Sequence, residues 1–266
     1  MVRVGMVRVE VPIADAEVAA DLLWAAGASA VEEAAAGDRD DRVVLTADLD
    51  DCPAEISDRW PCRVEDDDGA WWDGWRPYAR AVRAGVFVVH PPWVAAEVEE
   101  GQVDLALDAG RSFGTGSHPS TVLVLDLLGR LVTSGCSVLD VGCGSGALAI
   151  GAALLGAGRV TAIDIDPEAR AATADNAEAN GVRLRIDLSD QGLDDVAESF
   201  DLVLANLGSP LVVDLAGPLA GRMSPGATLV VSGLLDDRWD HVPPAYPTLR
   251  LVDRVTLDGW CALVLE

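Results

Sequence analysis

The residues best suited to chemistry lie in one short run, Leu139 to Ala147, LDVGCGSGA. Gly142, Gly144 and Gly146 alternate between an apolar run, SVLDV, and a helix-like run, ALAIGAALL. Glycine lets a chain turn sharply and lets its backbone approach a ligand closely, and a helix starting behind it offers unpaired N–H groups. Asp164 ends the next apolar run, about twenty residues downstream, the spacing at which an acid meets a ribose diol. The set suits an adenosine-bearing cofactor. With Ala147 the string satisfies the fingerprint G-x-G-x-x-G/A, so a nicotinamide dinucleotide and hydride transfer form one reading. S-adenosylmethionine is the other. Asp140 precedes the first glycine, where its carboxylate can hold the turn and, indirectly, a methionine amino group. Asn206 ends a later strand-like run, LVLANL, at the sheet edge where ligands bind. The chain also closes on a hairpin, TLRLVDRVTLDGWCALVLE, an ending usual in class I methyltransferases and foreign to dinucleotide domains.

A second run, LDAGRSFGTGSHPST from Leu107 to Thr121, combines glycines, hydroxyls and a histidine just ahead of a helical segment. Two readings stand side by side: a flexible lead-in to a helix, or a cover for a ligand. His118 has an unperturbed pKa suited to a base at neutral pH, but a histidine before Pro119 more often fixes a loop or caps a helix, and we favour that role. Ser120 and Thr121 are candidate N-caps. Cys143, inside the glycine run, reads as a small space-filler and not a nucleophile. The five cysteines, at 52, 62, 136, 143 and 261, form no CxxC pair. Neither a zinc site nor a disulfide framework is expected, and reduced thiols in a cytoplasmic protein are.

The elements that must position these residues follow from periodicity. From about residue 120 helical and strand-like runs alternate: TVLVLDLLGRLV, SVLDVG, GALAIGAALLGAG, RVTAIDID, PEARAATADNAEANG, VRLRIDL, FDLVLANL and ATLVVSGLL. That alternation predicts a parallel sheet with helices on both faces. Pro167 opens the helix PEARAATADNAEA and Gly181 closes it. The N-terminal third differs. Val2 to Val11 alternates as a strand, DAEVAADLLWAAG reads as a helix with Asp15 as N-cap, and SAVEEAAA, RVVLTADL and WPCRVED read as three more strands. Only DDCPAEISDRW remains for a second helix. The acidic run EDDDG marks a boundary, and Trp71, Trp72 and Trp75 read as packing on a short helix. VFVVHPPW is a strand ending at two prolines. The division expected is an α+β recognition domain over 1–66, a connector over 67–104 and a catalytic domain over 105–266.

The chain has 266 residues, half of them hydrophobic, enough for a substantial core. No apolar run is long enough to span a bilayer, and the N-terminus does not read as a signal peptide. The net charge is −25 and every basic residue is arginine. Such a field repels phosphate backbones and attracts basic proteins, which disfavours direct nucleic-acid binding.

The chain resembles the ribosomal protein L11 methyltransferase family (PrmA). The likeness is carried in order by LDAGRSFGTGSHPST, VLDVGCGSGALAIGAALLGA, AIDIDPEARAATADNAEANGV, FDLVLANL, VSGLL and GWCALVLE, with WWDGWRPYARAVRAGVFVVHPPW similar to that family's connector. FGTGSHPST is its most specific string. DAG stands where the family usually has DPG, and Ser120 where threonine is common. The resemblance implies an α/β fold with a Rossmann-like seven-stranded class I methyltransferase sheet and a small ferredoxin-like N-terminal domain, here trimmed. It implies methyl transfer from S-adenosylmethionine to lysine side chains or an N-terminal amine of a basic ribosomal protein. It further implies that Phe113, Gly114, Thr115 and Gly116 cover the methionine end of the cofactor and Thr121 bonds its carboxylate. Asp140, Gly142 and Gly144 would form the floor, Asp164 would hold the ribose, and Asn206 and the Leu207 carbonyl would face the reacting amine. No metal is implied. Asp187 and Ser189 are further candidates near the adenine. Alternatives are a related methyltransferase with another substrate, or a non-catalytic partner-binding module on the same fold. Oligomeric state is not legible.

Overall fold

The computed structural model describes residues 5–26, 28, 31–36, 39–47, 49, 51–66, 79–108, 114 and 116–266. The chain divides into two compact units, Met1–Pro77 and Tyr78–Glu266.

In the first unit, β1 (Gly5–Pro12), β2 (Val31–Ala36), β3 (Arg39–Ala47) and β4 (Cys62–Asp66) form an antiparallel sheet in the order β2-β3-β1-β4. This is the split βαβ order of ferredoxin-like domains. Val7, Val9 and Val11 alternate inward from β1 and meet Ala19 and Leu23 of α1 (Ala16–Ala25). The second helix, α2 (Ala54–Ser57), is a single turn anchored by buried Ile56, the trimming expected from the short DDCPAEISDRW. Two details stand out. Asp15 sits in a 3-10 turn ahead of α1 and accepts a bond from the Trp60 indole at 3.3 Å. Cys52 and Cys62 are paired in a disulfide, with Cα atoms 6.5 Å apart, where reduced thiols were expected. The turn of α2 returns the chain on itself and brings the two ends of that short loop together, which spacing alone does not reveal. Cys136, Cys143 and Cys261 are free thiols. Trp71, Trp72 and Trp75 lie outside the described residues.

The second unit holds a seven-stranded sheet in the order β10-β9-β8-β11-β12-β14-β13. Its strands are β8 (Ser137–Val141), β9 (Arg159–Ile163), β10 (Ile186–Ser189), β11 (Phe200–Asn206), β12 (Met223–Leu235), β13 (Leu251–Leu257) and β14 (Trp260–Leu265). The strands from β10 to β12 pair in parallel, and β14 and β13 close the sheet antiparallel. Even-numbered residues of β8 face one core with Val160, Leu202 and Val230; odd-numbered Leu139 and Val141 face the other with Val203 and Val231. Helices α3 (Pro119–Leu131), α4 (Ala147–Leu154) and α5 (Pro167–Ala179) flank the sheet in sequence, followed by the short α6 (Ser209–Asp214) and α7 (Ala216–Gly221). The run VRLRIDL is only half strand: Arg183–Arg185 form a 3-10 turn and pairing starts at Ile186.

A small sheet precedes this core. β5 (Val82–Ala84), β6 (Phe87–His90) and β7 (Val103–Ala106) pair in that order, and Phe87, Val89, Leu105 and Leu107 are buried with α3 and α4. Of these strands only β6 was legible. Asn176 of α5 and its C-cap residue Asn180, one turn apart, hold the exit of β7. Asn180 accepts the Ala106 N–H at 3.1 Å and donates to its carbonyl at 2.7 Å. Asn176, 3% exposed, accepts the Asp108 N–H at 2.9 Å and donates to the carbonyls of Asp108 and Ser145 at 2.9 and 2.8 Å. Buried backbone groups that lose such a partner retain their full desolvation cost. Asn176→Ala is therefore expected to lower the unfolding free energy of this unit by about 2–3 kcal/mol. Asn180→Ala, at a more exposed site, is expected to cost less. Urea denaturation of both variants against the parent chain measures the difference.

Candidate functional site

The parallel strands wind outward in two directions from β8: β9 and β10 on one side, β11 and β12 on the other. Connections leaving β8 and β11 therefore diverge and open a crevice at their carboxyl ends, the place where doubly wound sheets bind ligands. Register brings the candidates together there. Val141 lies opposite Ile163 and Ala205, so Gly142, Asp164 and Asn206 each follow at the same edge, and Asn206 pairs with Ser232.

Asp140 is 1% exposed, on the face of β8 covered by α4. Its Oδ2 accepts the Ala149 N–H at 3.0 Å, within the first turn of α4, where the helix dipole favours an anion. Its Oδ1 has no partner among the described residues. Burial pushes the carboxyl up to about 7, the Ala149 bond opposes the shift, and the charge of Asp164 adds to it. Asp164 spans the glycine loop and the next helix: Oδ2 accepts the Gly144 N–H and Oδ1 the Asp166 N–H, both at 2.9 Å. Asp166 in turn caps α5, accepting the Glu168 N–H at 2.8 Å. A carboxylate has lone pairs beyond these bonds, so Asp164 keeps capacity for a diol. Ile165, beside it, is 87% exposed, an apolar side chain standing free at the edge.

Asn206 is half-buried and donates from Nδ2 to the Thr121 hydroxyl at 3.2 Å. Thr121 belongs to the first turn of α3. His118, not Ser120 or Thr121, is the N-cap: its Nδ1 accepts the Ser120 N–H at 3.2 Å and faces the Ser120 hydroxyl at 2.8 Å. Burial lowers the imidazole pKa, so the ring is neutral at pH 7, with its hydrogen on Nε2. The ring also meets Trp260 edge-on, centroids 4.6 Å apart.

Leu207 sits against two glycines, its carbonyl over Gly233 and its side chain over Gly142. A Cβ on Gly233 would lie 2.4 Å from Leu207 O, and one on Gly142 would lie 2.5 Å from the Leu207 side chain; both glycines have positive φ, +83° and +71°. The glycine loop itself is tied down from behind. Thr173 donates to the Gly144 carbonyl at 2.8 Å, and the Cys143 thiol, pushed up to about 12 chiefly by burial, packs beside it. That thiol is a filler and not a nucleophile.

Gly114 is joined to the floor, because the Ser145 hydroxyl donates to its carbonyl. Gly116 is buried against Val89 and Leu107 of the small-sheet region. Phe113 and Thr115 lie outside the described residues. Asp187 is exposed on β10, and the Ser189 hydroxyl accepts the Gln191 N–H at 3.2 Å. Sequence reasoning missed Ser145, Thr173, Asn176, Ile165 and Gly233. Asn176 and Asn180 did leave a signal, since their i, i+4 spacing puts both amides on one helix face. Gly233 left one in the string VSGLL. No group of three or more metal-ligating side chains occurs among the described residues.

The family model described as ribosomal protein L11 methyltransferase (PrmA) matches residues 36–266. The ribosomal protein L11 methyltransferase of Deinococcus radiodurans is 39% identical over 225 residues, 82% of this chain and 80% of the relative. That of Symbiobacterium thermophilum is 40% identical over 210 residues, 77% of this chain and 67% of the relative. A crystal structure of the ribosomal protein L11 methylase from Lactobacillus delbrueckii subsp. bulgaricus superposes with a TM-score of 0.66 at 29% identity, covering 70% of this chain and 98% of that one.

Two substitutions test the geometry without any ligand. Because the Asp140 carboxyl is raised in the fold, its contribution to stability is full below its unfolded value of 3.8 and is lost as pH rises toward about 7. Between about pH 5 and pH 8 the parent chain is expected to lose more stability than Asp140→Asn, in which nothing titrates at that position. Parallel urea-denaturation profiles across that range would refute the raised pKa. Gly233→Ala forces a side chain against the Leu207 carbonyl in a left-handed conformation and is expected to destabilise by about 1–3 kcal/mol. The same measurement reads it.

Proposed function

Since the chain belongs to the ribosomal protein L11 methyltransferase family (PrmA), we propose that it transfers methyl groups from S-adenosylmethionine to amino groups of ribosomal protein L11. The acceptors in this reading are lysine side chains, the N-terminal amine, or both, and the compartment is the cytoplasm. One observation carries it: an orphan carboxylate oxygen, a glycine loop, an acid at the next strand end and an asparagine amide all meet where the sheet's winding reverses.

The residues fit the cofactor. Asp140 Oδ1 is a buried acceptor lacking a partner among the described residues, and a cationic amino group nearby supplies what it lacks, directly or across the glycine turn. Gly142 and Gly144 leave the backbone open to close approach. Asp164 takes the ribose diol, and Ile165 offers an apolar platform for the base. Gly114 is bound to Ser145 of the floor; Phe113 and Thr115 complete the cover in this reading, and Gly116 anchors it against Val89 and Leu107.

S-adenosylmethionine supplies a methyl group on a sulfonium. The chain's task is to present an amine with a free lone pair. A lysine titrates near ~10.4, so deprotonation at pH 7 costs about 4–5 kcal/mol. Desolvation beside a cation lowers that pKa, and orientation at short range contributes further. Asn206 Oδ1 and the Leu207 carbonyl are the acceptors that hold the amine's hydrogens and aim its lone pair. His118, neutral and engaged in capping α3, supports the site and does not serve as its base. The acidic chain, at −25, draws a basic ribosomal protein toward it.

Incubating the protein with methyl-labelled S-adenosylmethionine and isolated ribosomal proteins tests the reading. Label in one small protein of the size of L11 is expected; label elsewhere, or none, would overturn it. Asn206→Ala is expected to bind S-adenosylhomocysteine as the parent does and to lose at least about tenfold in turnover. Full turnover in that variant would remove Asn206 from the mechanism.

A further inference from the structure

The geometry points to Thr121 as a positioning residue that holds the Asn206 amide by its Nδ2 arm. This deepens the methyl-transfer reading and rests on it. A primary amide is planar, with its carbonyl oxygen and NH₂ on opposite arms. Holding one arm therefore directs the other. Asn206 donates from Nδ2 to Thr121 Oγ1 at 3.2 Å across 85 residues of sequence, and so turns Oδ1 away from α3.

The anchor is a stiff one. Thr121 is 2% exposed and β-branched, with restricted χ1. It sits in the first turn of α3, where its N–H bonds the His118 carbonyl at 2.9 Å. That turn is fastened to the same sheet edge independently. Ser232, the register partner of Asn206, is fully buried and donates to the Ser120 carbonyl at 3.1 Å. Trp260 packs edge-on against the capping histidine. The hydroxyl is thus held relative to β11 and β12 by contacts that do not involve Asn206. The resemblance had implied a different duty, a bond to the cofactor's carboxylate. The two duties differ in what they should cost when removed.

Thr121→Val keeps the branched shape and deletes the acceptor. It is expected to leave S-adenosylhomocysteine affinity by calorimetry within about twofold of the parent, and to lower kcat by about tenfold. Thr121→Ser is expected to restore most of that loss. In the Asn206→Ala background, Thr121→Val is expected to add nothing, because the residue acts only through the amide. A further readout needs no substrate or cofactor. In ¹⁵N–¹H spectra of the parent, the Asn206 side-chain NH₂ pair, assigned by its loss in Asn206→Ala, is expected to move on Thr121→Val and return on Thr121→Ser. A parallel fall in affinity and turnover would overturn the proposal in favour of a cofactor contact. So would an additive loss in the double variant, or an unmoved NH₂ pair. If the parent methylates nothing, the functional reading fails, while the NH₂ signals still decide whether Thr121 holds Asn206.

Discussion

The parallel pairing of β8 with β11 is the constraint on which the site depends. Each strand is buried on both faces, so neither face alone demands a particular residue, but the alternation does. A slip of one residue would exchange Asp140 with its odd-numbered neighbours. The carboxylate would then leave the first turn of α4 and enter the apolar layer under α6 and α7. A one-residue slip of β11 would likewise turn Asn206 away from Thr121. Register thus brings Gly142, Asp164 and Asn206 to one edge, and the chain's reversal of winding direction at β8 makes room between them.

The site is held mostly by bonds from side chain to backbone, and these come from behind. Thr173, Asn176 and Ser145 do not face the crevice in the proposed reading, yet each engages a carbonyl of the glycine loop or of the segment leading to Gly114. Burial supplies the rigidity and the bonds supply the geometry. Asp140 is the exception, because its cost in the fold is only partly offset: one oxygen is bonded, the other is not. A local expense of that kind is common where a ligand completes the structure.

Much of this was legible in the residues. Strong periodicity and short punctuated runs gave α3, α4, α5 and the succession of strands from β8 to β14, though neither α6 nor α7, and they gave the strands and first helix of the N-terminal unit, whose ferredoxin-like character was implied by the family resemblance. The site's floor was legible because glycines and acids at strand ends have few other reasons to stand at that spacing. What escaped was decided in three dimensions. β5 and β7 are three and four residues long, below the length at which alternation separates a strand from a loop. Cys52 and Cys62 meet because α2 folds the chain back. His118 caps α3, the role favoured for it, while the two hydroxyls that were the other cap candidates, Ser120 and Thr121, fall inside the first turn. Ser145 and Asn176 look like any other polar residue until their carbonyl partners are known.

The Leu207 carbonyl carries a consequence of another sort. A main-chain oxygen has no codon of its own. Replacing Leu207 changes a side chain and leaves the oxygen in place, so variation at that position says little about whether the oxygen matters. Its inheritance is written elsewhere, at Gly233, where the absence of a side chain permits the carbonyl to sit where it does. Selection on that oxygen would therefore be visible as intolerance at a neighbour that need not touch any substrate.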